Sequence, residues 1–131
     1  MSLAKELRKI AEKMTILYAE DEEWLRDNMS VSLERLFKKV YVAEDGQEAL
    51  NLYKSNKIDL ILTDINMPNM DGITLTAKLR ELDAYTFIPI LILTTETSEP
   101  RKNEAKKAGA TGWIEKPFDP DHLLATIKKV M

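Results

Sequence analysis

Residues 59–72 read Asp59-Leu60-Ile61-Leu62-Thr63-Asp64-Ile65-Asn66-Met67-Pro68-Asn69-Met70-Asp71-Gly72, an apolar run that ends on a carboxylate and continues into a loop with proline and glycine. A short apolar run between turn signals is typical of a strand buried on both faces, as in a parallel sheet. Asp64 would then lie at the carboxyl end of the strand, where open α/β sheets bind their ligands. Because a carboxylate beside a core is costly unless a partner compensates it, the sequence predicts a site at this edge.

The alternation of apolar runs and helical spacings extends over the rest of the chain. We predict further strands at 15–19, 40–43, 89–93 and 113–115, and helices at about 22–37, after Gly46, after Gly72, at 98–108 and after Asp119. Five strands alternating with five helices indicate an α/β fold, a parallel sheet with helices on both faces. The helix at 98–108 has only Ala105 and Ala108 to bury, so we expect it to be the most loosely packed.

Residues 1–13 precede the predicted domain, which covers residues 14–131. Leu3, Leu7, Ile10 and Met14 recur at helical spacing and predict a helix over 2–14 with one narrow apolar stripe. We expect a helical extension or linker that rests on the domain; a docking or dimerisation helix is the alternative. The alternative for the first three residues is that they come from the expression vector.

Composition excludes several classes of protein. A net charge of −3 gives no electrostatic basis for direct binding to nucleic acid or to a membrane. The chain has no cysteine, which excludes disulfides and thiolate metal sites. No apolar run approaches the roughly 20 residues of a membrane span, and charged residues between Lys5 and Lys9 interrupt any signal-peptide pattern. The expected location is therefore the cytoplasm.

The ends of the predicted strands carry complementary chemical groups. Since the strands of a parallel sheet end at one edge, three carboxylates, two hydroxyls and one ammonium should meet there, from Glu20, Asp21, Asp64, Thr94, Thr95 and Lys116. Clustered carboxylates repel each other unless a cation intervenes, and oxygen ligands of this kind suit Mg²⁺. A hydroxyl and an ammonium would bind an anion, as phosphoryl transfer requires, and Asp64 is the best nucleophile. Each residue alone could equally be a cap, a turn former or a surface charge.

In four segments, the sequence resembles the response-regulator receiver domain of two-component signalling. They are Tyr18-Ala19-Glu20-Asp21, residues 64–72, Leu93-Thr94-Thr95-Glu96 and Gly112-Trp113-Ile114-Glu115-Lys116-Pro117-Phe118. The match covers residues 14–131 and implies a flavodoxin-like doubly wound sheet with the strand order 2-1-3-4-5. It also implies a phosphoacceptor signalling domain rather than an enzyme, although self-phosphorylation from small donors and autodephosphorylation are expected.

The resemblance implies a role for each matching residue. Asp64 would accept a phosphoryl group from a histidine of a sensor kinase or of a histidine phosphotransfer protein. Mg²⁺ would be bound by Asp21, Asp64 and the backbone carbonyl of Asn66, with Glu20 reaching the ion through water. Thr94 and Lys116 would contact the phosphoryl group, and Trp113 would be the aromatic switch. The remaining expectations are a cis Lys116–Pro117 bond and tuning of hydrolysis by Asn66, Thr95 and Glu96.

The resemblance also implies an output. The helix at 99–108, the last strand and the last helix would change when Asp64 is phosphorylated. This surface would act on an unidentified target protein or output domain, and a phosphorylation-dependent homodimer remains open. The sequence is compatible with a stand-alone regulator and with a receiver from a longer protein.

Three positions depart from the most common pattern of the family. Glu20 stands where aspartate is usual, Trp113 where tyrosine, phenylalanine or histidine is usual, and Thr95 where alanine or serine is common. The larger indole of Trp113 is expected to make its inward swing partial. Thr95 is expected to slow access to the phosphoryl group.

Three other classes of protein fit the sequence less well. A Mg²⁺-dependent phosphohydrolase of the haloacid-dehalogenase type needs a second aspartate two residues after the first, where this chain has Asn66. A flavin-binding electron carrier needs a phosphate-binding first loop, which residues 20–23 would repel with four acidic side chains. An adaptor with a vestigial site would not need the full set of acids, threonine and lysine. His122, the only histidine, is expected to be a surface residue.

Overall fold

A computed structural model describes residues 3–82, 87–96, 98–116 and 120–130. Six helices and five strands alternate along these residues, and the first helix lies within residues 1–13, which we predicted to be an N-terminal extension. In chain order they are α1 (Leu3–Ala11), β1 (Thr15–Ala19), α2 (Glu23–Leu36), β2 (Lys39–Ala43), α3 (Gly46–Ser55), β3 (Leu60–Thr63), α4 (Gly72–Leu82), β4 (Ile90–Thr94), α5 (Glu99–Ala108), β5 (Gly112–Glu115) and α6 (Pro120–Val130).

The five strands form one parallel sheet in the order β2-β1-β3-β4-β5. Leu62 at its centre is in register with Tyr18 of β1 and with Leu91 of β4. The chain leaves β1 toward β2 on one side and returns to β3 on the other, so the direction of winding reverses between β1 and β3. Open α/β sheets bind ligands at such a reversal. The predicted fold and strand order are confirmed.

Both faces of the sheet are covered, which explains the continuous apolar runs of β3 and β4. One face of the central strands packs with α2 and α6 through residues such as Ile16, Leu62 and Leu93. The other face packs with α3 and α4 through residues such as Leu17 and Ile61. Every residue of β3 and β4 is buried. A strand with both faces buried carries apolar residues at successive positions, without the alternation of apolar and polar residues.

Helix α1 is packed into the core, although one residue of its predicted stripe is not. Leu7, Ala11 and Met14 are buried in the same cluster as residues of α2 and α6. Ile10 is 39% exposed, so the apolar stripe of α1 is only partly buried. The helix ends at Ala11, and Met14 is brought inward by a turn in which its N–H donates to the Ala11 carbonyl at 3.0 Å. The helical repeat of 3.6 residues therefore ends at Ala11 and does not place Met14 on the face of Leu7.

The contribution of α1 can be measured with two matched substitutions. Leu7→Ala is expected to lower the free energy of unfolding by about 2–3 kcal/mol, because it removes buried methyl groups and leaves a cavity. Ile10→Ala, on the exposed side of the same helix, should cost less than about 1 kcal/mol. Urea unfolding of both variants tests this prediction. Equal losses would show that α1 does not pack as the structure indicates.

Helix α5 has the poorest apolar face, as predicted. Ser98 caps its first turn by accepting from the N–H of Arg101 at 3.4 Å, and Gly109 ends it with a φ of 107°. Ala105 is the one residue between Glu99 and Ala108 that is buried. The helix is therefore well capped but contributes little to the core.

Candidate functional site

Three carboxylates meet at the carboxyl edge of the sheet. One carboxylate oxygen from each of Glu20, Asp21 and Asp64 lies within 4.8 Å of the other two. Glu20 is 1% exposed, Asp21 is exposed, and the side chain of Asp64 is 15% exposed. The cluster is thus open to solvent at Asp21 and closed behind Glu20.

The backbone places these residues by continuing the sheet beyond the formal strand ends. The N–H of Glu20 donates to the carbonyl of Ala43 at 3.0 Å, which extends the pairing of β1 with β2. The N–H of Asp64 donates to the carbonyl of Ala19 at 3.1 Å, which extends the pairing of β3 with β1. Because β1 and β3 are neighbours, the acidic residues that follow them are brought together.

Lys116 joins this cluster from the end of β5. Its backbone N–H donates to the carbonyl of Thr94 at 2.9 Å and extends the pairing with β4. Its ammonium lies 2.5 Å from Oε1 of Glu20 and 3.2 Å from Oδ2 of Asp64. Lys116 therefore bridges two of the three carboxylates, and its side chain is only 13% exposed.

The electrostatics of Glu20 follow from this arrangement. Burial raises the pKa of Glu20 above its usual value, and the hydrogen bond from Lys116 opposes that shift. The neighbouring charge of Asp64 raises the pKa of Glu20 further. Three carboxylates against one ammonium leave the cluster net negative, which favours a divalent cation. The donors are all carboxylate oxygens, so they fit Mg²⁺ or another cation that prefers oxygen ligands.

Thr94 lies at the adjacent strand end and is buried. Its hydroxyl oxygen accepts from the backbone N–H of Glu96 at 3.1 Å. The hydroxyl hydrogen of Thr94 remains available, because a hydroxyl can accept and donate at the same time. Thr95 and Asn66 are exposed at the rim of the edge, and Glu96 is partly buried.

Trp113 lies on β5 against α5, away from the carboxylates. Its ring is partly buried, and the ammonium of Lys102 lies 5.8 Å from the ring centroid. Its indole N–H is buried without a hydrogen-bonding partner among the described residues. Trp113 also lines a groove of about 250 Å³ between α5 and β5 with Lys102, Ala105, Lys106, Ala110, Thr111 and Gly112. The predicted Lys116–Pro117 cis bond falls outside the described residues.

Two supports of the site were missed by the sequence analysis. Arg26 of α2 donates from Nη1 to the backbone carbonyls of Glu20 at 3.1 Å and Asp21 at 3.2 Å, which holds the acidic loop in place. Gly72 packs its Cα against the end of β3, since a Cβ there would lie 2.0 Å from the carbonyl oxygen of Asp64. Neither contact has a sequence signal, because both are made to backbone atoms.

The comparisons with known proteins agree with this site. Residues 16–128 match the family described as the response regulator receiver domain, so the chain belongs to that family, a phosphoacceptor signalling module of two-component systems. The chain is 36% identical over 116 residues to the chemotaxis protein CheY of Halobacterium salinarum, with 88% of this chain and 95% of that protein covered. It is similar in structure to the Vibrio cholerae chemotaxis protein CheY4, with a TM-score of 0.83, 40% identity and coverage of 91% of this chain and 99% of that one.

A longer relative is also similar. The transcriptional regulatory protein SrrA of Staphylococcus aureus is 35% identical over 116 residues, which are 88% of this chain. The match spans 47% of SrrA, about half of its length. Within the part of the chain that the structure describes, no helix is both long and apolar enough to cross a membrane.

Proposed function

We propose that the chain accepts a phosphoryl group on Asp64 from a phosphohistidine of a sensor kinase or of a histidine phosphotransfer protein. The observation that carries the proposal is the Lys116 ammonium placed between Glu20 and Asp64 in a cluster of oxygen ligands. Such a cluster can hold a divalent cation and a phosphoryl group together, with the ammonium already within reach of the acceptor.

The acidic cluster fits a magnesium ion. Asp21, Asp64 and the backbone carbonyl of Asn66 would hold it, with Glu20 acting through a water molecule. When bound, the ion supplies positive charge to the oxygens of the phosphoryl group. This assignment rests on the donor set, since carboxylate oxygens from Glu20, Asp21 and Asp64 lie within 4.8 Å of one another.

In the transfer step, a carboxylate oxygen of Asp64 attacks phosphorus. A P–O bond forms, the P–N bond to histidine breaks, and the imidazole keeps the electron pair and takes a proton. Lys116, 3.2 Å from Asp64 Oδ2, would pair with the oxygens of the new phosphoryl group. Thr94 would donate its free hydroxyl hydrogen to the same group. Asn66, Thr95 and Glu96 follow the ends of β3 and β4 and would tune its hydrolysis.

The signal would pass to the surface formed by α5, β5 and α6. A dianionic group on Asp64 shifts the population toward a conformation only if it is bound better there, and Thr94 and Lys116 supply that difference. Helix α5, whose one buried residue among 99–108 is the small side chain of Ala105, has little core packing to hold it. Trp113 contacts it from β5 and would report the change. A target protein, an output domain or a second copy would recognise this surface.

Tryptophan emission tests the proposal. Trp113 is partly buried, and Trp24 is 70% exposed at the start of α2, next to the acidic loop. Addition of Mg²⁺ followed by beryllofluoride is expected to change the emission of the wild type. Asp64→Asn should abolish the response to beryllofluoride. Asp27→Asn, an exposed aspartate on the same helix as Trp24, should preserve it.

An undiminished beryllofluoride response in Asp64→Asn would place the acceptor elsewhere. A wild type that responds to neither Mg²⁺ nor beryllofluoride, with an intact fold by circular dichroism, would contradict the proposed function.

A further inference from the structure

Tyr18 carries a hydroxyl that the site described so far does not use. The side chain is 1% exposed and packs in the cluster that includes Ile16, Leu62 and Ile114. Its hydroxyl oxygen is buried and has no hydrogen-bonding partner among the described residues. An unpaired buried hydroxyl is destabilising, and phenylalanine would fill the same space without that cost.

Tyr18 lies on the same face of the sheet as the acidic cluster. Tyr18 and Glu20 are two residues apart on β1 and its extension, so their side chains lie on the same face of the sheet. Burial raises the pKa of the Tyr18 phenol far above its usual value, and the charges of Glu20 and Asp64 raise it further. Both carboxylates are therefore within electrostatic reach of the phenol.

Glu20 depends on a partner that phosphorylation would remove. Its Oε1 is bound by Lys116 at 2.5 Å, and its Oε2 accepts a long hydrogen bond of 3.3 Å from the N–H of Glu22. Lys116 also pairs with Asp64, the proposed acceptor. A dianionic group on Asp64 would attract the ammonium and draw it away from Glu20. With Oε1 released, a carboxylate as buried as Glu20 would gain from a direct donor besides the N–H of Glu22 and the metal-bound water proposed above.

We propose that Tyr18 is a positioning residue, whose hydroxyl donates a hydrogen bond to Glu20 when Lys116 turns to the phosphoryl group. This inference rests on the proposed function above. The unpaired hydroxyl destabilises the unmodified state, and the new hydrogen bond stabilises the modified one. Tyr18 thereby shifts the balance between the two states without touching the phosphoryl group.

Tyr18→Phe tests the inference because it removes only the hydroxyl. In EDTA, the variant should unfold at the same or a higher urea concentration than the wild type. At saturating Mg²⁺, its apparent affinity for beryllofluoride, measured from the midpoint of the tryptophan response, should fall about tenfold to a hundredfold, the effect of one hydrogen bond to a charged group. Tyr41→Phe, the same change on β2 against the other face of the sheet, should leave the affinity unchanged.

A double-mutant cycle with Glu20→Gln identifies the partner of the hydroxyl. If the hydroxyl acts on the Glu20 carboxylate, Tyr18→Phe should weaken beryllofluoride binding much less in the Glu20→Gln background. An unchanged affinity in Tyr18→Phe, or a loss that persists fully with Glu20→Gln, would overturn the inference and leave the proposed function intact. A wild type that does not respond to beryllofluoride would instead overturn both.

Discussion

Gly72→Ala is expected to lower the free energy of unfolding by about 3 kcal/mol or more, whereas this substitution in a helix usually raises it. Alanine in place of glycine in a helix normally stabilises by about 0.5–1 kcal/mol. At position 72, however, the added Cβ would lie 2.0 Å from the carbonyl oxygen of Asp64 and 2.9 Å from its carbonyl carbon. Those atoms belong to the backbone at the end of β3 and cannot move without displacing Asp64. Urea unfolding measures the loss.

Gly112→Ala is the matched control. Its Cβ would lie 2.8 Å from Cδ2 of Leu91, the end of a side chain that can shift. We expect a loss of about 1 kcal/mol, clearly smaller than at position 72. Gly72→Ala should also weaken the beryllofluoride response in any molecules that remain folded. A variant as stable as the wild type would show that the loop after Asp64 does not pack as described.

Lys116→Met is expected to lower the free energy of unfolding by about 2–3 kcal/mol at neutral pH in EDTA, because it leaves Glu20 buried without its cation. The estimate lies below the roughly 3–5 kcal/mol typical of breaking a buried pair, since the side chains of Lys116 and Asp64 are 13% and 15% exposed. Lys102→Met is the control. Its ion pair with Glu115 is 3.6 Å long and much more exposed, so its removal should cost less than about 1 kcal/mol.

The pH dependence of this loss identifies Glu20 as its source. Burial raises the pKa of Glu20 in the folded protein, so the folded state holds this proton at a pH where the unfolded chain has released it. Stability from this group is therefore fully present below the unfolded pKa and is lost as the pH rises through the folded pKa. Lys116 lowers the pKa of Glu20. Without Lys116 this pKa is higher, so the pH range in which only the folded protein holds the proton is wider. The cost of Lys116→Met should shrink as the pH falls from 7 toward the usual range of a glutamate. A cost independent of pH would contradict this account.

The sheet and its acidic edge were predictable because both follow from local patterns. The apolar run before Asp64 indicates a doubly buried strand, and in a parallel sheet the residue after such a strand lies at the ligand-binding edge. The predicted strands at 15–19, 40–43, 89–93 and 113–115 lie within one residue of those observed. The convergence of Glu20, Asp21, Asp64 and Lys116 followed from that topology alone.

Other features depend on atoms that a sequence pattern does not encode. The bridge from Lys116 to both Glu20 and Asp64 depends on side-chain distances, and the strand order alone places these groups only at the same edge. Gly72 and Arg26 contact backbone carbonyls. Every residue type carries this group, so the sequence does not identify the partner. The end of α1 at Ala11, before the predicted end at residue 14, was missed because the turn that follows has no proline or glycine.

The most direct test of the central claim is to locate the phosphoryl group. After incubation with acetyl phosphate and Mg²⁺, the intact wild-type protein should gain the mass of one phosphoryl group, and peptide mapping should place it on the segment that contains Asp64. EDTA and Asp64→Asn should each abolish the gain, whereas Asp27→Asn should keep it. A phosphoryl group on Asp64→Asn, or one that maps in the wild type to a segment without Asp64, would contradict the account.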